Sequence, residues 1–330
     1  MTGKRKIGPL EVSPVGLGCM SLSHAYGTPP DPEHGRRLLN RALDIGYDFL
    51  DTAALYGFGA NERLIGDSIV HRRDEYVLAS KCGMTGVDGT RVIDGRPETL
   101  LRTIDESLRR LKAETIDLYY LHRWDRNVPI EESVGALGQM VAAGKVRAIG
   151  LSEVSAETLR KAHAVHPIAA VQNEYSPWSR NVELGILDAT RELGAALVAF
   201  SPTARGFLAG SVRSTEALEE KDLRRSMPRF QGENLQRNLG LYERFESLAG
   251  AAGCTPAQLS IAWVLSRGDH VVPIPGTTSF KHLEENFATG TLHVSSDLLA
   301  EIDSLLTPDA VAGARYAEAT LAEIDTEDFG

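Results

Sequence analysis

Cysteine is scarce in this sequence. Its three copies, Cys19, Cys82 and Cys254, are spread too widely for a disulfide framework. None has a second Cys or a His at metal-ligand spacing, so no metal site is expected. His163 and His166 stand three apart in a helical stretch and read as surface polar residues. Long apolar runs are missing too. No segment approaches the roughly 20 residues of a membrane helix, and MTGKRKIGPLEVSP lacks the charged-then-apolar order of a secretory leader. A cytoplasmic protein is the expectation. Positive charge is in deficit: 35 Lys and Arg against 45 Asp and Glu give a net charge of −10. That balance argues against nucleic acid or a membrane as partner. A phosphate-bearing cofactor would need locally placed cations and helix N-termini. The dinucleotide fingerprint is also incomplete. Gly57-Phe58-Gly59 lacks its third glycine, and the acidic Asp51 precedes it instead of following.

What is present is a rhythm. Hydrophobic residues make up 42% of the chain, enough to fill a large core. Eight short apolar runs read as strands, at 15–19, 47–51, 76–80, 116–121, 146–151, 169–173, 196–200 and 271–275. Helical patterns lie between or after them, at 33–45, 61–70, 97–111, 131–143, 156–166, 182–193, 234–252 and 281–288. In the third, Leu100, Leu101, Ile104, Leu108 and Leu111 recur at helical spacing behind Pro97 in the first turn. Strict alternation favours a parallel sheet, and eight units without a linker favour a closed (β/α)8 barrel over 1–330. Residues 4–13 read as an N-terminal β-hairpin, and 206–233 as a long charged loop after strand 7. Within that loop Lys221, Arg224, Arg225 and Arg229 read as a solvated helix face, with Arg229 also a candidate for a lid.

A barrel of this class carries its active site at the carboxyl ends of the strands. Reading off those ends gives Asp51, Lys81, His122, Ser152, Gln172, Ser201 and Gly276, with Tyr56 in the loop after Asp51. An ammonium beside a tyrosine stabilises phenolate and lowers a pKa that is ordinarily near 10. A carboxylate can hold the ammonium, and an imidazole can hydrogen-bond a substrate oxygen. The set suits proton transfer to a developing alkoxide. Any one of these residues alone would more often be a structural ion pair or a satisfied polar group.

The stretches FLDTAALYGFGANERLIG (49–66), ASKCG (79–83) and DLYYLHRWD (117–125) resemble the tetrad-bearing segments of the aldo-keto reductase family. The resemblance continues through GKVRAIGLSEVS (144–155), AVQNEYSPWSR (170–180), VAFSPTARGFLAG (198–210) and VPIPGTTSFKHLEEN (272–286). It implies Tyr56 as general acid, Lys81 as the residue tuning it, Asp51 as the lysine's partner and His122 orienting a carbonyl. The implied cofactor is NADP(H), lying across the barrel mouth. Ser152 and Gln172 match carboxamide contacts, and Phe200 stands where the family usually has a tyrosine stacked on the nicotinamide. Glu153, where other branches carry Asn, is expected to alter the carboxamide contacts. Ser201, Thr203 and Arg205 match the pyrophosphate loop. Gly276, Thr277 and Thr278 open the final helix, and Glu285 and Asn286 match adenine contacts. Ser279 and His282 replace the lysine and arginine of many relatives, so Lys281 and His282 are the cations left for a 2′-phosphate. Met20, Trp124 and Trp178 are candidate pocket walls.

The implied activity is hydride transfer between NADP(H) and an aldehyde or ketone, in either direction. The alternative is a nicotinamide-binding regulatory subunit resembling ion-channel β subunits. Those carry a long N-terminal extension, whereas this sequence starts almost at the hairpin. A Schiff-base barrel enzyme using Lys81 would leave Tyr56 unexplained. Substrate and oligomeric state are not legible.

Overall fold

The computed structural model describes residues 3–87 and 90–329. Eight strands form one parallel sheet: β1 Leu17–Gly18, β2 Phe49–Asp51, β3 Val77–Cys82, β4 Ile116–Leu121, β5 Val146–Ser152, β6 Ile168–Glu174, β7 Ala196–Phe200 and β8 Val271–Pro273. Each pairs with its sequence neighbours. The ring closes where Gly16 N donates to Pro273 O at 3.0 Å and Gly18 N to Pro275 O at 3.2 Å. Gly18 and Gly276 also form a parallel bridge, and the approach is tight. A Cβ on Gly276 would sit 2.9 Å from Gly18 O, so the seam requires glycine.

Helices α1 Pro32–Ile45, α2 Ala60–Ile69, α3 Pro97–Leu111, α4 Ile130–Ala142, α5 Ala156–Val165 and α6 Ile186–Leu193 follow β1 to β6 in turn. Local chemistry sets their ends. Asp31 accepts from His34 N at 2.9 Å ahead of Pro32, and Gly46 ends α1 with φ of 108°. The helical stretch expected at 182–193 is broken. Asn181–Leu184 is a 3-10 turn and α6 starts only after Gly185, whose Cβ would lie 2.8 Å from Glu327 Oε1. Two helices, α7 Gly232–Ala251 and α8 Pro256–Leu265, separate β7 from β8. Helix α8 was not expected. Its residues Leu259 to Val264 are all buried, so no polar face marks it as helical. Helices α9 Phe280–Ala288, α10 Ser296–Leu305 and the short α11 Glu318–Leu321 complete the chain. Among the described residues no single helix is long and apolar enough to cross a membrane.

The 206–233 loop is held in three 3-10 turns, Phe207–Ala209, Leu223–Ser226 and Pro228–Phe230, so its arginines do not share a helix face. Arg229 is no lid. Its guanidinium bonds Gly313 O, Trp178 O and Ser179 Oγ beneath the surface.

Two layers of core result. One lies between strands and helices. The other fills the barrel with Phe49, Ala79, Leu118, Tyr120, Ala148, Ala170, Ala196, Val198, Val272 and Ile274. The hairpin strands Arg5–Ile7 and Leu10–Val12 add Ile7, Leu10 and Val12 to this inner layer. Small residues make room for large ones. A Cβ at Gly150 would come within 2.5 Å of the Tyr120 ring.

Candidate active site

The period of two along each strand decides which side chains reach the barrel mouth. Phe49, Ala79, Leu118 and Tyr120 face inward, so Asp51, Lys81 and His122, two residues or four further along, face inward as well. The same parity carries Ser152 beyond Ala148, Gln172 beyond Ala170 and Phe200 beyond Val198. Asp51, His122, Ser152, Gln172 and Phe200 thus line a cavity of about 980 Å3, with Lys81 buried beneath its floor.

Tyr56 reaches this floor from the β2–α2 loop. Thr52 Oγ1 donates to Asn61 Oδ1 at 2.6 Å, and Asn61 Nδ2 donates to Cys19 O and Ser23 Oγ, both at 2.9 Å. Gly57 and Gly59 take left-handed φ of 56° and 86°, which turns the chain into α2 just past the tyrosine.

Lys81 is fully buried. Its ammonium donates to Asp51 Oδ1, to Thr52 O at 2.7 Å and to Tyr56 Oη at 3.3 Å. Gln172 Nε2 donates to the other Asp51 oxygen at 2.7 Å, leaving the amide carbonyl of Gln172 as its acceptor. Tyr56 and His122 meet edge to face with ring centroids 5.8 Å apart. His122 Nδ1 is buried and without a partner among the described residues, so the other ring nitrogen is the one left for a ligand.

Electrostatics assigns charge states. Burial works against the Lys81 ammonium, but Asp51 and Tyr56 outweigh it and hold the amine above its ordinary pKa. Burial raises Asp51, with Lys81 and Gln172 opposing. Burial likewise lifts the Tyr56 phenol above its ordinary value, and Lys81 pulls it back. The ammonium lowers the tyrosine as expected, but desolvation of the phenolate is the larger effect, so the phenol stays above its ordinary value. His122 is held well below its ordinary pKa by burial, then by Arg123, Lys81, Arg91 and His24. It is a neutral imidazole at pH 7.

The far end of the cavity suits a polyanion. Thr277 Oγ1 accepts from Ser279 N at 3.0 Å, and Ser279 Oγ caps α9 by accepting from His282 N. The Phe280 and Lys281 amides have no partner among the described residues. Helix N-termini of this kind attract anions. Ser201, Thr203, Arg205, Gly276, Thr277, Thr278, Lys281, His282, Glu285 and Asn286 all lie on the cavity wall with Ser152, Gln172 and Phe200. An aromatic face, amide partners and a cationic far end match the donor set a nicotinamide dinucleotide requires. Arg205, however, is not free. It bonds Glu174 Oε2 at 2.8 Å and the Tyr316 hydroxyl.

Three expectations need correction. Trp124 is not on the cavity wall; its indole donates to Val128 O at 2.9 Å and Arg126 stacks over it. Nor is Trp178, which packs against Phe207 at 4.1 Å and against Phe230, in the core under the long loop. Met20 does line the cavity. Glu153 does not reach it. It accepts from Glu174 N at 2.9 Å and pairs with Arg315 of the C-terminal segment. The sequence reading also passed over wall residues: His24, Arg91 and Met84 on the hairpin Met84–Val87 and Thr90–Ile93, Arg123, Arg224 and Tyr316. Arg123 sat in plain view beside His122.

Comparison with known proteins agrees with this geometry. A family model described as the aldo/keto reductase family matches residues 14–307. A Schizosaccharomyces pombe aldo-keto reductase, with NADP(+) in its name, is 44% identical over 319 residues, covering 94% of each chain. A probable aldo-keto reductase of Glycine max is 44% identical over 309 residues, 93% of this chain and 89% of that one. Among solved structures, a glycerol dehydrogenase from Gluconobacter oxydans superposes with a TM-score of 0.85 at 29% identity, covering 93% of this chain and 97% of its own.

Proposed function

The chain belongs to the aldo/keto reductase family, and from that premise we propose that it reduces aldehydes or ketones with NADPH, using Tyr56 as proton donor. The observation that carries this reading is the Lys81 ammonium, which touches both Asp51 and the Tyr56 hydroxyl at the floor of the cavity. NADPH, when bound, supplies a hydride to the carbonyl carbon. The Tyr56 phenol gives its proton to the carbonyl oxygen, so C=O becomes CH–OH. Lys81 offsets the phenolate charge left behind, and Asp51 keeps the ammonium in place. Neutral His122 donates a hydrogen bond to the substrate oxygen and holds it toward Tyr56.

Run in reverse, Tyr56 as phenolate accepts the alcohol proton. At the cofactor end, the Gln172 carbonyl and Ser152 would hold the carboxamide, Phe200 would offer its face to the nicotinamide, and the α9 N-terminus with Lys281 and His282 would hold phosphate. NADP(H) is the preferred cofactor because the name of a 44%-identical relative carries NADP(+). The assembled Asp51, Tyr56, Lys81 and His122 support catalysis over a purely regulatory nicotinamide-binding role. The test is NADPH oxidation, followed by absorbance, across a panel of aldehydes, ketones and sugars. Turnover of several panel members is expected; tight NADPH binding with no turnover of any would favour the regulatory reading instead.

A further inference from the structure

The cavity wall carries six Lys and Arg side chains: Arg91, Arg123, Arg205, Arg213, Arg224 and Lys281. Five of them have a carboxylate partner. Arg91 pairs with Glu323, Arg205 with Glu174, Arg213 with Glu246, Arg224 with Asp222 and Lys281 with Glu285. Arg123 has none among the described residues. Its Nη1 donates to His122 O at 2.7 Å and to Ser152 Oγ at 3.2 Å. Its Nε is buried without a partner, and its Nη2 donates to nothing among the described residues.

This guanidinium follows His122 directly and lies near enough to Tyr56 to pull its phenol downward. It is therefore at the reacting end of the cavity, not the phosphate end on α9. A chain with a net charge of −10 has carboxylates to spare, yet none among the described residues pairs with this one. A partly buried guanidinium with unused donors is costly unless something anionic completes it. Its planar fork fits a carboxylate in two parallel bonds.

We propose that Arg123 binds a carboxylate on the substrate, so that the natural substrate is a carbonyl compound bearing an acid group. The inference rests on the reductase reading above and names the substrate class for it. The two anchors divide the work. His122 and Tyr56 take the carbonyl oxygen, and Arg123 sets the far end of the molecule, which raises the effective concentration of the carbonyl at the floor.

A matched pair tests it: 4-carboxybenzaldehyde and its neutral methyl ester, each with NADPH, compared by kcat/KM at low and high salt. The acid is expected to exceed the ester by about 10- to 100-fold, the range of a charge-assisted pair, and the advantage should shrink with added salt. In Arg123→Met the acid-to-ester ratio should fall toward one, mainly through KM for the acid. In Arg123→Lys part of the ratio should return, since charge survives without the fork. An ester reduced as well as the acid by the wild type overturns the inference and leaves the reductase reading standing. So does an equal loss on both substrates in Arg123→Met, which would make Arg123 only a support for Ser152 and His122. Failure of every aldehyde and ketone to be reduced overturns the reductase reading itself.

Discussion

Two clusters of buried charge lie at the carboxyl end of the barrel, and they end differently. In the first, Lys81 and Asp51 come from the adjacent strands β3 and β2, and the ammonium has a bond to spare for Tyr56. In the second, Glu153, Glu174, Arg205 and Arg315 come from loops, β6 and the C-terminal segment. Their bonds run to one another, to Ser179, to Thr326 and to Tyr316. Both are nearly sealed from solvent, so burial and pairing do not distinguish them. What distinguishes them is where the last hydrogen bond goes. In the first it reaches the Tyr56 phenol on the cavity floor, beside His122; in the second it reaches the Tyr316 phenol of the C-terminal segment and ties that segment to the barrel. Strong charge coupling marks candidates for catalysis, and the free end of the network selects among them.

The sharpest way to break this contrast is to remove the group at that free end. Tyr56→Phe should lower kcat by about 10²–10⁴-fold, the range for loss of a general acid. NADPH affinity, read by fluorescence titration, should barely change. More than about a tenth of wild-type kcat remaining would show that the proton comes from elsewhere. Lys81→Met acts one step back. It leaves the Asp51 carboxylate buried and unpaired, which costs roughly 3–5 kcal/mol of stability in urea titrations. In the folded enzyme it also withdraws the charge that opposes burial at Tyr56. Alcohol oxidation needs phenolate, so its rise with pH should move to higher pH. A purely structural lysine would cost stability and leave the pH profile where it was.

The second cluster answers to acid instead. Burial would raise Glu174, yet Arg205 and Arg315 hold it down at about 2, against an ordinary 4.5. A carboxylate depressed in the folded state stabilises that state fully above pH 4.5, and the benefit is lost as pH falls toward 2. At 1.36 kcal/mol per unit, the contribution is on the order of 3 kcal/mol. Stability of the wild type should therefore fall more steeply between pH 4.5 and 2 than that of Glu174→Gln. Parallel slopes for the two proteins would show that this pair is not a source of acid sensitivity.

The two clusters were also unequally legible in the sequence. Strand parity and the strand-end rule reached Asp51, Lys81 and His122 because each sits at a fixed offset from an apolar inward residue. The eight strands were legible for the same reason. Contacts made by loops and the tail obey no such period. Arg205 falls in a segment that suggested phosphate binding, but its partners Glu174 and Tyr316 stand 31 and 111 residues away. Trp178 looked like a pocket wall because a large aromatic on a rim loop suggests one. Phe207 and Phe230 cover it from the long loop, and no local signal announces that. Helix α8 was hidden for a different reason: a helix buried on all sides shows no amphipathic stripe.

An exposed charge at the other end of the cavity extends the contrast to its weakest case. Lys281 stands at the start of α9 with its side chain 79% exposed, and it faces Glu285 at 3.5 Å. An exposed ion pair contributes about 0.2–1 kcal/mol, since water screens the charge and a long side chain loses freedom when held. Lys281→Met should therefore weaken NADPH binding by only about two- to fivefold at low salt and leave NADH unchanged. The difference should fade as ionic strength rises past the point where the screening length drops below about 10 Å. A hundredfold loss would mean that the bound phosphate desolvates Lys281, giving a surface lysine the weight of the buried pairs. Equal wild-type affinity for NADPH and NADH would instead remove the 2′-phosphate from the site and with it the preference for NADP(H).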